Sequence, residues 1–239
     1  MQLGCCQHQA IMLIITGPGR SGTSLLALFC ERMGFDPHGE WHEGVDAGME
    51  DPRVVRINLD IIKEYAQTGK YDKALARHGE TIRSFEQEII KDPRFSLFPF
   101  TLKAWFAIRN DLTILLTYRN PEESIASRRR LNRALKFRGM SPDMVRKGFA
   151  DTLELLLRER VPFELLLFPY FLDQFDEVFT AFQNLGLKMD KDHASQVWSA
   201  VIDKSKIHIT EDTVHENVSE RLIKFIARVK RRLRRRRAA

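Results

Sequence analysis

A glycine-rich loop with one cation and several hydroxyls follows the first apolar run of the sequence. Residues 17–24 read GPGRSGTS, in which three glycines surround Arg20, and the hydroxyl residues Thr23 and Ser24 come last. Glycines allow backbone N–H groups to converge on an anion at a helix N-terminus, and an arginine adds a permanent charge with a fork of donors. The pattern therefore predicts a cradle for a phosphate-like anion; the alternative is a plain glycine turn with an exposed arginine.

The loop also matches two nucleotide fingerprints, each incompletely. Its glycines have the spacing of the dinucleotide motif G-x-G-x-x-G, which needs an acid at the end of a second strand, but the nearest acid, Asp36, follows a helix. Residues 17–24 also have the spacing of the triphosphate loop, but Thr23 stands where that loop has lysine. The clearest later strands end in LLTYR and LLLFP, without an acid that could organise Mg²⁺. A nucleotide kinase-like protein therefore remains an alternative.

A second cation and hydroxyl stand at the end of a later strand. In the stretch YRNPEESIAS, Arg119 follows the apolar run, and Ser127 comes eight residues later, in the second turn of the next helix. Both side chains could reach one phosphate near that helix N-terminus, where the backbone dipoles favour negative charge. Alternatively, Arg119 pairs with Glu122 or Glu123, and Ser127 is an ordinary helix residue. In combination with the glycine loop, the first interpretation is favoured.

The two stretches together resemble the sulfotransferases that use 3′-phosphoadenosine 5′-phosphosulfate (PAPS). In that family a loop P-[RK]-S-G-T-[TS] binds the 5′-phosphosulfate, and a strand ending in R-N-P, with a serine eight residues after the arginine, binds the 3′-phosphate. The sequence has GRSGTS, with Gly19 where many members have proline, and YRNPEESIAS. It is also similar to small bacterial members in MEDPRVVRIN and IIKDPRF, and more weakly in VIDKSKIH, where Lys204 replaces the usual proline. The resemblance extends over roughly residues 11–210.

The resemblance implies in-line transfer of a sulfuryl group from PAPS to an acceptor hydroxyl or amine, without a metal. It implies that donor binding falls to the residues of the two motifs, namely Gly19, Arg20, Ser21, Gly22, Thr23, Ser24, Arg119 and Ser127. Charge builds on the bridging and equatorial oxygens during such a transfer, so donors placed there stabilise the transition state. Arg20 would do this with the loop N–H groups and with Lys91, which stands where the family often has a lysine facing the sulfuryl group.

An acceptor hydroxyl also needs a general base. Glu50 is the first candidate, because it corresponds to the acid of the family's F-E-D element and precedes a helix start. Asp92 is the second, since cytosolic family members place their histidine base one residue after the matching lysine; His42 and Glu43 are third. Asp51 is better explained as a helix cap.

Two aromatic residues and two basic segments could also contact a ligand. Trp41 or Trp105 could stack on the adenine or on a sugar acceptor, although aromatic residues are more often part of a core. The segment RRRLNRALKFRG, from Arg128 to Gly139, and the arginine-rich end of the chain could attract an anionic acceptor or the bisphosphate. Charge runs are more often solvated faces, which is the structure expected here. The acceptor, a small molecule or a carbohydrate, is not identified by these residues.

These residues come together only if a parallel sheet positions them. The apolar runs 11–16 and 112–118 predict two buried strands, PFELLLFPYF predicts a third, and a short strand ends at KDPR. Helices are predicted over 23–33, from Pro52 after Asp51 as N-cap, from Pro121 after Asn120, from Ser141 to about Arg160, and over 169–184, 190–202 and 217–233. The apolar positions of the second helix are Val55, Leu59 and Ile62. Strands alternating with helices predict an α/β fold, P-loop-like and three-layered, with a central, mostly parallel sheet flanked by helices.

Composition favours one domain in a reducing compartment. The 239 residues, 44% of them apolar, predict a single domain over 11–227 between an extension at 1–10 and a tail at 228–239. The stretch RVKRRLRRRR, from Arg228 to Arg237, holds eight basic residues, so the net charge of +6 becomes −2 without it. A non-catalytic module that binds nucleic acid or another anionic surface through this tail is therefore a second alternative. Three cysteines without metal-ligand spacing, and the lack of a run near twenty apolar residues, predict a cytoplasmic protein without a membrane span.

Overall fold

The computed structural model describes residues 11–42, 47–131 and 140–202. The expected extension at 1–10, Glu43, Lys204, the helix at 217–233 and the arginine-rich tail lie outside these ranges, so the domain boundaries remain predictions. Within the ranges, none of the helices combines the length and the apolar character that a membrane crossing requires.

Four parallel strands form the central sheet, as predicted. In spatial order they are β4 (Ile89–Lys91), β1 (Met12–Thr16), β5 (Leu112–Tyr118) and β6 (Phe163–Leu167). Every residue of β1 is buried, which fits its unbroken apolar run, because a strand covered on both faces has no polar side. A separate antiparallel pair joins β2 (Trp41–His42) to β3 (Ala47–Gly48).

Helices cover the sheet. Their bounds are α1 (Thr23–Arg32), α2 (Pro52–Thr68), α3 (Asp72–Arg83), α4 (Arg94–Leu97), α5 (Pro99–Phe106), α6 (Pro121–Leu131), α7 (Pro142–Arg158), α8 (Phe175–Asn184) and α9 (Lys191–Val201). Residues of α1, α8 and α9 share one core cluster with Leu13, Ile15 and Leu115. Because side chains alternate along a strand, Ile14 and Ile114 face the opposite side. There α4 contacts β1, and α4, α5 and α7 contact one another, so the α/β fold with a flanked parallel sheet is confirmed.

Three predicted helix starts have the N-cap that the sequence indicates. The side chains of Asp51 and Asn120 accept hydrogen bonds from the backbone N–H two residues on, at 2.7 and 2.9 Å. Ser141 accepts from the N–H three residues on, at 3.2 Å. Glu50 and Arg119 directly precede two of these caps, so the start of a helix positions the backbone next to each of them.

The buried face of α2 differs from the prediction. Its buried residues are Val54, Ile57, Asn58 and Ile61. Leu59, predicted on the apolar face, is 49% exposed, and Val55 and Ile62 are half-buried, so the prediction was wrong by about one residue. The apolar pattern misleads because Asn58, a polar residue, occupies the middle of the buried face and forms its hydrogen bonds there.

The helix predicted over 169–184 is not continuous. A short 3-10 turn, Tyr170–Asp173, comes first, and α8 begins only at Phe175. Gln174 between them has φ −124° and ψ 66°, outside the helical region, so the chain turns at this residue. Neither α4 nor α5 was predicted, because the short and mostly apolar segment PFTLKAWF shows no helical period.

The strand order creates a crevice at the carboxyl edge of the sheet. From β1 the chain runs to β4 on one side, whereas from β5 it runs to β6 on the other side. In open parallel sheets such a reversal leaves room between the loops that follow the two central strands, and ligands bind there. In this chain those loops begin at Gly17 and at Arg119.

Candidate active site

The loop after β1 lies tightly against the end of β5. A Cβ at Gly17 would overlap Thr117 Oγ1 and lie 2.7 Å from the Thr117 carbonyl oxygen, so only glycine allows this approach. Gly22, the N-cap residue of α1, has φ 84°, and Arg20 has φ 72°, a region that residues with side chains rarely adopt. The loop therefore follows a narrowly defined path at the edge of the sheet.

The start of α1 presents hydrogen-bond donors at the same edge. Among the described residues no side chain caps this helix, and its first turn contains no acid. The positive end of the helix dipole is thus not neutralised by α1 itself. Ser21 is fully buried and shares a 2.7 Å hydrogen bond with Thr117, while Ser24 Oγ donates to the Gly48 carbonyl at 3.3 Å. Thr23, also buried, is the first residue of the helix.

Arg20, Arg119 and Ser127 are brought together. Arg20 Nε donates to Ser127 Oγ at 3.3 Å, and Arg119 Nη1 donates to the Arg20 carbonyl oxygen at 3.0 Å. Arg119 Nε also donates to Glu123 Oε2 at 3.2 Å, so the alternative ion pair is present as well. The Arg119 guanidinium lies 4.8 Å from the ring centroid of Phe168. The two motifs found in the sequence therefore form one cluster, in which Arg119 and Ser127 are buried and Arg20 is half-buried.

Glu50 is held between two cations at the end of β4. Lys91 Nζ donates to Glu50 Oε1 at 2.7 Å and to the Gly48 carbonyl at 2.8 Å. Arg94 Nη1 donates to Glu50 Oε2 at 3.3 Å. Because Ser24 donates to the same Gly48 carbonyl, β3 links Glu50 and Lys91 to the first turn of α1.

The surrounding charges keep Glu50 ionised. Burial raises the pKa of Glu50, but Lys91 and Arg94 together outweigh burial and hold that pKa below its ordinary value. Lys91 is 3% exposed, and burial lowers the pKa of its ammonium against the attraction of Glu50. At neutral pH the site therefore holds a carboxylate among several cations.

Asp92 directly follows Lys91 at the end of β4 and is completely buried. Its carboxylate accepts hydrogen bonds from the backbone N–H and Nη1 of Arg94, at 2.8 and 2.9 Å, and from Asn58 Nδ2 at 2.9 Å. Burial raises the pKa of Asp92 by more than Arg94 and Asn58 lower it. Trp105 Nε1 donates to Asn58 Oδ1 at 3.0 Å. A chain of hydrogen bonds thus runs from the core through Asp92 to the cation that contacts Glu50.

Asp92 also occupies a strand end next to the glycine loop. It directly follows β4, the neighbour of β1, in the part of the sheet where a kinase would need an acid for Mg²⁺. Its oxygens contact Arg94 and Asn58. Across the ranges that the structure describes, no three His, Cys, Asp or Glu side chains are grouped so as to hold a metal ion. The acid at this position binds a cationic side chain.

The two tryptophans lie in different environments. Trp105 is completely buried between Phe85 and Phe95, whose ring centroids are 5.7 and 5.4 Å away. The prediction that Trp105 could stack on a ligand was wrong, because its ring fills the core and its N–H has a partner there. Trp41, in β2, is half-buried against the core, and the neighbouring His42 is exposed. The roles predicted for Trp41 and His42 remain predictions.

Comparison with known proteins finds similarity in structure only. Neither a family model nor a curated protein matches the sequence. The sulfotransferase domain of the Synechococcus olefin synthase is 14% identical, with a TM-score of 0.49 over 89% of this chain and 86% of that one. A sulfotransferase from Mycobacterium tuberculosis is 16% identical, with a TM-score of 0.46 over 86% and 75%. Retinol dehydratase in complex with androsterone and the inactive cofactor PAP is 11% identical, with a TM-score of 0.42 over 81% and 65%. These similarities concern the path of the chain and identify no residue or ligand.

Two cations of the site were not among the predicted site residues. Arg94 lies in the IIKDPRF stretch and reaches Glu50 because α4 begins at this residue. Arg128 was expected on a solvated basic face, but its guanidinium lies against Gly19: a Cβ there would overlap Nη2 and lie 2.9 Å from Cζ. That expectation was wrong for Arg128, and residues 132–139 of the segment lie outside the described ranges. The signal in the sequence was the position of Arg128 directly after Ser127.

Proposed function

We propose that the chain is a PAPS-dependent sulfotransferase, which moves a sulfuryl group from PAPS to an acceptor hydroxyl or amine by in-line transfer without a metal. The main support is that Arg20 contacts both Ser127 and Arg119, the two residues predicted to bind the 3′-phosphate. Its Nε donates to Ser127, and its carbonyl oxygen accepts from Arg119. A donor with a 5′-phosphosulfate and a 3′-phosphate needs two anion sites close together, whereas a nucleoside triphosphate does not need the second.

Donor binding falls to one edge of the sheet. The 5′-phosphosulfate would lie against residues 19–24 and the N-terminus of α1, whose first turn contains no acid. Arg20 adds a permanent cation, and its φ of 72° suggests that the loop stores some strain to hold it in place. The 3′-phosphate would lie near Arg119 and Ser127. When bound, PAPS supplies the activated sulfuryl group.

Glu50 is the proposed general base. Burial raises its pKa, but Lys91 and Arg94 outweigh burial, so the carboxylate is ionised and able to accept a proton. A carboxylate stabilised by two cations is a weak base. Lys91 Nζ, 2.7 Å from Glu50, would also attract the sulfuryl oxygens, and a shift of the ammonium toward them would make Glu50 more basic. Arg20 and Lys91 would stabilise the charge that builds during the transfer.

Asp92 fits a positioning role better than the role of a second base. Its carboxylate is buried and bonded to Arg94 and Asn58, so a substrate hydroxyl has no access to it. His42, which is exposed, is the second candidate for the base. A small-molecule or carbohydrate acceptor, the single domain over 11–227 and a cytoplasmic location remain predictions.

Thermal stability in the presence of nucleotides tests the proposal. The full chain is titrated with adenosine 3′,5′-bisphosphate, with 5′-AMP, with ATP plus Mg²⁺ and with nucleic acid, since a ligand that binds only the folded state raises Tm. We expect stabilisation by the bisphosphate and much less by 5′-AMP. Stabilisation by ATP with Mg²⁺ but not by the bisphosphate would contradict the proposal and favour the kinase-like alternative. Stabilisation by nucleic acid alone would favour the module that binds through its basic tail.

The acceptor is sought by transfer of label from sulfur-labelled PAPS to sugars, phenols, lipids and peptides. Acceptor specificity depends on loops and on the shape of the pocket rather than on the fold, so a broad screen is needed. We expect labelled product in one of these classes. Binding of the bisphosphate without transfer to any class would contradict the transferase part of the proposal.

A further inference from the structure

The Arg128 guanidinium of α6 occupies the space where a side chain at Gly19 would lie. A Cβ at position 19 would overlap Arg128 Nη2 and lie 2.9 Å from Cζ and 3.2 Å from Nε. The guanidinium therefore packs on the backbone of the loop, one residue before Arg20. Glycine at position 19 leaves room for this cation.

The charges around Arg128 come from three separate elements. Burial lowers the pKa of Arg128, and repulsion from Arg20 and Arg94 adds to this effect, while Glu50 opposes it. Arg20 belongs to the loop after β1, Arg94 begins α4, and Glu50 precedes α2. The guanidinium thus lies within electrostatic reach of both the proposed donor loop and the proposed base.

Arg128 has a weak partner for so strong a donor. Its Nη1 donates to Met140 Sδ at 2.8 Å, and a thioether is a weak acceptor. Among the residues that the structure describes, no carboxylate forms an ion pair with Arg128, whereas Arg94 pairs with Glu50 and Asp92, and Arg119 pairs with Glu123. A half-buried cation beside like charges is unfavourable unless an anion compensates for it. The arrangement therefore favours an anionic ligand at this point.

We propose that Arg128 binds the sulfuryl oxygens of the donor and so distinguishes the sulfated donor from the desulfated bisphosphate; this inference rests on the proposed sulfotransferase function. The transferring group must lie between the proposed donor loop and the proposed base, and Arg128 lies against that loop at Gly19 and is attracted by Glu50. Arg119, at the 3′-phosphate position, is bonded to Glu123 and to the Arg20 carbonyl oxygen. Arg128 in α6 and Arg119 just before α6 would then bind different ends of the donor.

The transfer leaves three oxygens on the sulfur for such a contact. The bond between sulfur and the bridging oxygen of the 5′-phosphate breaks, and its electron pair leaves with the bisphosphate. A bond between sulfur and the acceptor oxygen forms, and the acceptor proton passes to Glu50. A guanidinium can donate in parallel to two of the sulfuryl oxygens throughout this exchange.

Binding of two nucleotides to matched variants tests the role of Arg128. Calorimetry measures Kd for PAPS and for adenosine 3′,5′-bisphosphate in wild type and in Arg128→Met, which removes the charge and keeps much of the length. Loss of charge-assisted hydrogen bonds should weaken PAPS about 10- to 100-fold and leave the bisphosphate nearly unchanged. Arg158→Met, on an exposed part of α7, removes the same charge and should change neither Kd. Equal losses for both nucleotides, or no loss for either, would overturn the role of Arg128.

Gly19→Ala provides a second test with Arg128 present. Gly19 does not have a positive φ, so alanine fits the backbone, and the added Cβ meets the end of a flexible side chain. We expect the variant to lose PAPS affinity selectively, and the double variant Gly19→Ala with Arg128→Met to be no weaker than Arg128→Met alone. Additive losses would overturn the inference. A wild-type chain that binds neither nucleotide would overturn the proposed function and this inference with it, whereas normal binding that is insensitive to Arg128 would overturn only the inference.

Discussion

Arg20 and Ser127 are 107 residues apart in the sequence, and Arg20 Nε donates a hydrogen bond to the Ser127 hydroxyl at 3.3 Å. The contact follows from the register of two neighbouring parallel strands, in which Thr16 of β1 lies opposite Leu116 of β5. The segments that follow these strands start at the same edge of the sheet, where α/β folds bind ligands. A ligand that contacts the Arg20 side chain therefore has the first turns of α6 within reach.

Loss of Arg119 should act on the 3′-phosphate. Arg119→Ala is expected to weaken adenosine 3′,5′-bisphosphate about 10- to 100-fold and 5′-AMP far less, because only the first carries the phosphate that the guanidinium would bind. Calorimetric Kd values measure both. Glu123→Gln removes only the carboxylate that pairs with Arg119 and should weaken neither nucleotide. If Arg119→Ala weakens both nucleotides equally, the 3′ site lies elsewhere.

Glu50→Gln should separate binding from turnover. The amide has nearly the size of the carboxylate and can still accept a hydrogen bond from Lys91, so bisphosphate affinity should not change. Turnover should fall at least ~100-fold, the lower range for removal of a general base. Steady-state kinetics with an acceptor from the screen measure this. Turnover close to wild type would assign the base to another residue, and His42→Ala would be the next variant, since Asp92 is buried.

The acidic limb of the pH profile should depend on Lys91. Burial raises the pKa of Glu50, but Lys91 and Arg94 hold it below its ordinary value of 4.5, so kcat/KM should fall only below that pH. In Lys91→Met the effect of burial remains and the largest opposing attraction is lost, so the pKa rises and the limb moves to higher pH. Lys91→Arg, which keeps the charge, should leave the limb near its wild-type position. A limb that stays in place in Lys91→Met would show that Glu50 is not the titrating group.

Local signals in the sequence predicted the strands of the sheet and several helix starts. The strand β1 could be recognised because a strand buried on both faces has no polar residue to interrupt it. The caps Asp51 and Asn120 could be recognised because a cap depends on residues two or three positions away. Each anion motif is likewise contiguous in the sequence, so both were found without knowledge of the fold.

The remainder depends on partners that are distant in sequence. Asn58 reads as a surface residue, although Asp92 and Trp105 satisfy its amide in the core, and this shifted the predicted face of α2. Arg128 reads as one charge in a basic run, and only the packing of α6 against the loop places it on Gly19. Contacts between residues that are distant in sequence produce no repeating pattern by which a single sequence could predict them.

Asn58 should be important for stability as well as for the site. Asn58→Leu keeps a similar volume but leaves Asp92 Oδ2 and Trp105 Nε1 buried without that partner. Because each buried group that loses its hydrogen bond costs about 1–3 kcal/mol, we expect the free energy of unfolding to fall by about 2–5 kcal/mol in urea titrations. Asn184→Leu removes an exposed amide that is bonded to Glu164, and it should change stability by less than about 0.5 kcal/mol.

The same Asn58→Leu variant tests the chain of hydrogen bonds that leads from the core to Glu50. Without Asn58, Asp92 loses one of the partners that favour its ionised form, so its pKa should rise further and its hold on Arg94 should weaken. At a temperature where the variant is folded, kcat should therefore fall more than bisphosphate affinity, because Arg94 contacts Glu50, the proposed general base. A loss of stability with unchanged kcat would mean that Asp92 holds Arg94 without help from the core.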